Sequence, residues 1–325
     1  MKVLDFSNYP VRVCLTFALL AGCASPADRT TPGGSPQSSL TLARLRHAGS
    51  WIRMASASGD LIYISVAKGA AIYSTGGKSV GMLEGLSDPG ICSDGQGNIW
   101  VTYGTTMLLY PHGGTYPIAQ AYLPSNFNGI SCAVDPTTGD LAVSEDSYLQ
   151  GENIAVFQNI YDAPQTYTDS DVTQSYFYLT YDNQGDLFVN GAARKTIVLA
   201  ELPSGGDTLG TISVDEKLRG IGGLQWDGQY LALGDNFNHV IYQMSVANGH
   251  AVTEGTTSYN GQHPRFKRAV PFALQNGLLA IQFANNKVGY FNYPAGGKPT
   301  HRISIISNGN VAISVAPSRS SGGRK

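Results

Sequence analysis

The sequence of 325 residues is poor in charge: 21 Lys and Arg against 23 Asp and Glu leave a net charge of −2, and only 14% of residues are charged. Apart from Arg319, Arg324 and Lys325 near the C-terminus, the basic residues are scattered. No extended basic field exists for nucleic acid or an anionic lipid surface. The four cysteines, Cys14, Cys23, Cys92 and Cys132, lack zinc-ligand spacing. Six histidines, His47, His112, His239, His250, His263 and His301, show no close pairing of the kind a histidine metal site needs. There is no Gly-x-Ser-x-Gly segment to expose a serine nucleophile on a strand-to-helix elbow. The glycine-rich segments separate strands instead of opening helices, which removes them as phosphate cradles. Long hydrophobic runs are also missing: Val13-Cys14-Leu15-Thr16-Phe17-Ala18-Leu19-Leu20 falls well short of the roughly 20 residues that a membrane-spanning helix needs.

What is abundant points to sheet. Thirty-nine glycines, 18 tyrosines and 42% hydrophobic residues favour many short strands, tight turns and a large core. The expected fold class is all-β.

Lys2 and Arg12 precede the short apolar run, and Leu20-Ala21-Gly22-Cys23 completes it. A basic start, a brief apolar stretch and small residues before a cysteine resemble the lipobox of bacterial lipoprotein signal peptides. The resemblance implies that residues 1–22 are a signal peptide, that Cys23 is lipidated and that the protein is anchored in the bacterial cell envelope. Each buried CH₂ contributes roughly 0.8 kcal/mol, so two or three acyl chains hold firmly where one is marginal. Ala24 stands where retained inner-membrane lipoproteins carry aspartate, which implies the outer membrane in a host with two membranes. Residues 23–50 read as the lipidated cysteine and a flexible tether, since Ser25 to Ser39 is rich in Ser, Thr, Pro and Gly. The domain follows at 51–317, and 318–325 forms a disordered basic tail.

Within the domain one unit recurs. Its apolar strand appears as Ile62-Tyr63-Ile64, Ile99-Trp100-Val101, Leu141-Ala142-Val143, Leu187-Phe188-Val189, Leu231-Ala232-Leu233 and Leu279-Ala280-Ile281, at spacings of 37, 42, 46, 44 and 48 residues. A second marker keeps the same period: Gly76-Gly77, Gly113-Gly114, Gly205-Gly206 and Gly296-Gly297, whose first glycines are 37, 92 and 91 residues apart. Periods of about 40 to 50 residues are those of β-propeller blades. Six blades are expected, with seven as the alternative if residues 144–178 or 244–271 hide a further unit. Val311 to Val315 has no unit after it, so pairing of N- and C-terminal strands is expected to close the ring.

Before the apolar strand stands a turn rich in Asp, Asn and Gly: Asp94-Gly95-Gln96-Gly97-Asn98, Asp135 to Asp140, Asp182-Asn183-Gln184-Gly185-Asp186 and Asp227-Gly228-Gln229. These turns lack the ligand alternation of a calcium loop and read as hairpin chemistry. Ahead of them, Ile91, Cys132, Leu179, Leu224 and Phe272 share one aligned position, and Cys92, Ala133, Thr180, Gln225 and Ala273 share the next. Adjacent strand positions face opposite neighbours, but which position faces which neighbour depends on handedness. A Cys92–Cys132 disulfide and two buried free thiols therefore both remain open. Tyr161, Tyr167, Tyr176, Phe177, Tyr178 and Tyr181 read either as inter-sheet filling or as a binding patch, whereas Trp100 and Trp226 fall in inter-blade core.

The turns resemble those of NHL-type propellers, and residues 51–317 as a whole resemble NHL-repeat-like β-propeller lipoproteins of bacteria. The resemblance implies a rigid, non-enzymatic scaffold that binds a protein, peptide or saccharide ligand, with no cofactor and no nucleic acid. A more distant similarity to gluconolactonase-like six-bladed propellers implies the alternative, a calcium-dependent lactone or ester hydrolase. In that case Glu145, Asn190 and Asp235, at the ends of the aligned strands of consecutive units, are the expected metal ligands.

Overall fold

The computed structural model of the protein describes residues 49–317 apart from 54–58, 88, 126, 146–153, 170–174, 194–195, 261–270, 284–286 and 306. Cys23, the expected signal peptide, nearly all of the tether and the tail lie outside the described residues.

The described residues form 25 strands and no helix. The first group is β1 (Trp51–Ile52), β2 (Leu61–Val66), β3 (Gly69–Ser74) and β4 (Ser79–Glu84), in which β1 adds to the outer edge of β4. Next come β5 (Ile91–Ser93), β6 (Ile99–Tyr103), β7 (Thr106–Tyr110) and β8 (Ala119–Tyr122), then β9 (Gly129–Val134), β10 (Leu141–Glu145), β11 (Ile154–Phe157) and β12 (Gln165–Tyr167). Each of these two sets is a four-stranded antiparallel sheet paired in chain order. An eight-stranded sheet contains β13 (Ser175–Tyr181), β14 (Leu187–Ala193), β15 (Thr196–Leu202) and β16 (Gly210–Val214), together with β17 (Ile221–Trp226), β18 (Leu231–Asp235), β19 (Val240–Ala247) and β20 (His250–Ser258). Its halves are antiparallel meanders, joined only where β16 meets β20 in parallel at Ser213–His250 and Val214–Ala251. Finally, β21 (Phe272–Gln275), β22 (Leu278–Phe283), β23 (Lys287–Asn292) and β24 (Gly296–Ser304) form a four-stranded sheet, and β25 (Ser307–Ser314) ends the described chain's strands.

β25 pairs antiparallel with β2, Ser314 opposite Leu61 and Ile313 opposite Ile62. It takes the place that a first strand holds elsewhere. The innermost strands then form a circuit in which β25 neighbours β5, and β9, β13, β17 and β21 follow in turn until β21 meets β25. This is a propeller-like arrangement, closed by strands from the two ends of the domain. The stretches 144–178 and 244–271 contribute β11, β12 and β20 to these sheets and add no further sheet among the described residues.

The repeated apolar triplets all fall on second strands: β2, β6, β10, β14, β18 and β22. Each such strand lies between neighbouring sheets and is covered on both faces, so it reads as continuously apolar instead of alternating. Leu61, Ile62, Tyr63 and Ile64 are all fully buried. The apolar clusters lie between consecutive sheets: Ala312 and Leu61 pack with Ile91 and Val101, and at the closing seam Ala273 and Ala280 pack with Ile62 and Ile313.

Every first strand obeys one facing rule. Ile91, Leu224 and Phe272 pack against the preceding sheet, whereas Ala133 and Ala273 pack against the following one. Cys132 belongs to the first set and Cys92 to the second, so the two sulfurs point at each other across the β5–β9 seam. They are bonded, with sulfur atoms 2.06 Å and Cα atoms 5.4 Å apart.

The aspartate turns are hairpin devices. Asp94 Oδ1 accepts the Gln96 and Asn98 N–H groups, Asp182 Oδ1 accepts those of Gln184 and Asp186, and Asp227 Oδ1 accepts those of Gln229 and Tyr230. This satisfies backbone donors that the reversal would leave unpaired. Where the ring closes there is no such hairpin, yet Asp60 Oδ1 accepts the Ala316 N–H at 2.8 Å and serves the same purpose between the two chain ends. The glycine marker closes the later turns, in which Gly114 N–H bonds Pro111 O and Gly206 N–H bonds Pro203 O, both at 2.8 Å.

Candidate functional site

A cavity of about 580 Å³ runs along the axis and is lined by residues of β5, β9, β13, β17, β21 and β25. At one end its wall is made by the turns that follow these strands, including Asn183, Gly228 and Asn276. At the other it reaches Ser131 and Asn310. There Asn310, only 9% exposed, donates from Nδ2 to Ile130 O at 2.6 Å and ties β25 to β9 across the intervening β5.

The walls are held by side chains that stitch one innermost strand to the next. Thr180 Oγ1 accepts the Trp226 N–H at 3.1 Å. Gln225 accepts the Leu274 N–H at 2.6 Å and donates to Leu274 O at 2.8 Å, acting as a short substitute for strand pairing. Cys92, Thr180 and Gln225 occupy the same aligned position, the one that faces the following sheet, and each bonds to it. At the rim, Asn183 Nδ2 donates to Gly228 O at 3.2 Å, and the Tyr293 hydroxyl donates to Asp227 Oδ2 at 2.6 Å.

Among the described lining residues, Asp94 and Asp227 are the only charged side chains, and both are carboxylates. Tyr178, Trp226 and Tyr293 bring half-buried aromatic surface. Burial pushes the Tyr178 phenol above its ordinary value; burial and the neighbouring Asp227 carboxylate do the same for Tyr293. Both hydroxyls therefore keep their protons at physiological pH.

Glu145, Asn190 and Asp235 lie elsewhere. They are buried in the second strands: Asn190 midway along β14, and Glu145 and Asp235 at the last positions of β10 and β18, opposite Gly129 and Ile221 at the starts of the first strands. That is the end of each sheet away from the aspartate turns. Here the first strands are irregular: pairing slips between Tyr176 and Leu179 in β13 and between Ile221 and Leu224 in β17. A bulge of this kind leaves backbone groups unpaired. Asn190 mends two of them, accepting the Tyr178 N–H at 3.0 Å and donating to Gly222 O at 2.8 Å in the next meander. Ser144 does similar work, donating to Phe177 O at 2.9 Å. Asp235 accepts the Phe237 and Asn238 N–H groups on one oxygen, and the Arg219 N–H and Asn238 side-chain amide on the other. Among the described residues no group of three His, Cys, Asp or Glu side chains is spaced to hold a metal ion.

The aromatic run divides. Tyr176 and Tyr181 are buried in the seam between β9–β12 and β13–β16, Tyr178 reaches the axial cavity, and Tyr161 stands 80% exposed at the periphery. The cavity-lining positions escaped notice in the sequence because each strand contributes only a few of them and the next contributor lies some 40 residues away. The signal was present in the column containing Thr180 and Gln225, which places polar residues where buried apolar ones would suffice.

The closed circuit of sheets and its axial cavity define a β-propeller, and solved structures agree. The chain is similar to one in the crystal structure of a nidogen/laminin complex, with 12% identity, a TM-score of 0.62 and coverage of 79% of this chain and 99% of that one. It is also similar to a protein of unknown function from Bacteroides caccae, with 13% identity, a TM-score of 0.58 and the same coverage. At these identities the likeness shows the fold alone. No protein-family model matches the sequence, and no curated protein does.

Proposed function

We propose that the protein is a non-enzymatic binding scaffold, a six-bladed NHL-like propeller held at a bacterial membrane by lipid on Cys23, which receives a small ligand in its axial cavity. The observation that carries the reading is the cavity itself: about 580 Å³, reached by all the innermost strands and lined by aromatic and hydrogen-bonding side chains. Such a volume falls in the range of small-molecule sites, with a few convergent polar groups among apolar walls. Supporting the six-blade count, the eight-stranded sheet divides at its two-residue β16–β20 contact, and a separate apolar cluster fills each seam around the ring. Asn190 and Asp235 already serve the backbone, which supports binding over metal-dependent hydrolysis.

The test has two parts. In membrane fractionation, wild type is expected in the membrane pellet and Cys23→Ser in the soluble fraction; equal partitioning would refute the anchor. For the cavity, Trp226 provides a reporter on its wall. Ligands should change its emission, and Trp226→Phe should remove the change. A panel of neutral, anionic and cationic small molecules that binds nowhere in the cavity would refute the scaffold reading.

A further inference from the structure

We infer that the axial cavity selects a small organic cation, an amine or guanidinium compound, over neutral and anionic molecules of the same size. The inference rests on the cavity being the binding site and names what it takes. Its first support is charge. The described lining residues carry Asp94 and Asp227 and no Lys, Arg or His. Low-dielectric walls of a single sign focus the field on the cavity and raise the local concentration of the opposite charge.

The second support is the direction of the hydrogen bonds. Several side-chain donors of the lining are turned into the wall: Gln225 Nε2 to Leu274 O, Asn310 Nδ2 to Ile130 O, Asn183 Nδ2 to Gly228 O and Tyr293 OH to Asp227, whereas the Trp226 indole N–H has no partner among the described residues. A side-chain amide carries both a donor and an acceptor. With one Nδ2 hydrogen of each committed to a carbonyl, Asn310 and Asn183 each keep a second amide hydrogen and the Oδ1 acceptor for other partners. The exposed edges of the innermost strands offer backbone N–H and C=O groups alike, so the two carboxylates tip the balance toward acceptors. A cation brings donors and no competing lone pairs, which suits such walls. The third support is aromatic. Tyr178, Trp226 and Tyr293 line the cavity, and a cation over an aromatic ring is attracted more strongly once both are shielded from water.

The test uses the full-length chain in detergent with arginine amide and spermidine as cationic probes, maltose as the neutral probe and glutamate as the anionic one. Trp226 emission and calorimetry are read at low and physiological salt. Both cationic probes are expected to bind at least about tenfold tighter than maltose or glutamate and to weaken as salt rises. Asp227→Asn retains a side-chain acceptor for its turn but removes the charge, and should weaken the cations by about tenfold with no effect on maltose. Gln275→Lys, which adds a positive charge on a half-buried lining residue, should have the same effect without touching the aspartate turn. Maltose or glutamate binding in the cavity as tightly as the cations would overturn the inference while leaving the scaffold reading intact. Cation binding that persists at full strength in both variants would also overturn it. Absence of any binding by all the probes would remove both.

Discussion

The Cys92–Cys132 bond joins two adjacent innermost strands beside the axial cavity, and its removal makes a quantitative test of the ring. The cysteines are 40 residues apart in sequence, so the bond closes a loop about one repeat long. Cross-linking such a loop removes roughly 13 cal/mol/K of entropy from the unfolded chain, or about 4 kcal/mol at 25 °C as an upper figure. Both sulfurs are buried among Trp100, Met107 and Phe157, and alanine replacement opens only a small void there. Cys92→Ala/Cys132→Ala should therefore lose between about 2 and 4 kcal/mol in urea unfolding. Reductant should lower wild type by a similar amount and leave the double variant unchanged. Thiol titration of the denatured, unreduced protein should find neither residue reactive. Two freely reactive thiols, or a wild type whose urea midpoint ignores reductant, would refute the reasoning.

Alkali should unfold the protein steeply above pH 10. Burial holds the Tyr63 phenol at about 12, so its neutral form stabilises the fold fully below the unfolded value of 10, and about 3 kcal/mol of that is lost as pH rises from 10 through 12 and beyond; Tyr63→Phe should flatten the loss in unfolding curves followed against pH. Asp182 is raised by burial above its ordinary value, so its contribution falls as pH rises through the acid range, and Asp182→Asn should remove that slope. Gly97→Ala should lower the thermal midpoint sharply, because Gly97 has φ +85° and a Cβ there would sit 2.0 Å from Val315 O, against the closing strand. Tyr290→Phe should be neutral or stabilising by up to about 1 kcal/mol, since the buried Tyr290 hydroxyl has no hydrogen-bond partner among the described residues. Asn190→Ala should cost about 2–4 kcal/mol by leaving Tyr178 N–H and Gly222 O unmet, equally with and without calcium.

The strand period, the aspartate hairpins and the terminal closure were legible in the sequence because each rests on local chemistry repeated several times. An apolar triplet covered on both faces, a carboxylate two residues before the N–H it accepts and a glycine at a reversal keep their character from one copy to the next. Handedness was not legible. Residues 91 and 92 alternate in either hand, and only the completed ring assigns Cys92 to the following sheet and Cys132 to the preceding one. The same assignment converts the column of Cys92, Thr180 and Gln225 from an unexplained polar position into the set of stitches around the axis.

The polar ends of the second strands illustrate why a site is harder to read than a fold. Glu145, Asn190 and Asp235 have the residue types that a metal centre uses, within one place of each other along the second strands of consecutive repeats. An oxygen that accepts a backbone N–H has the same chemistry as one that ligates an ion, so composition and spacing cannot separate the two. The bulges separate them. Where β13 and β17 slip register, the backbone needs partners, and Ser144 and Asn190 provide them across the seam. Evidence for a ligand lies in the opposite condition, polar atoms left over after the backbone has been served. Along the axis Asp94 and Asp227 also serve their turns, and what is left over there is net charge: among the described lining residues no Lys, Arg or His faces their carboxylates.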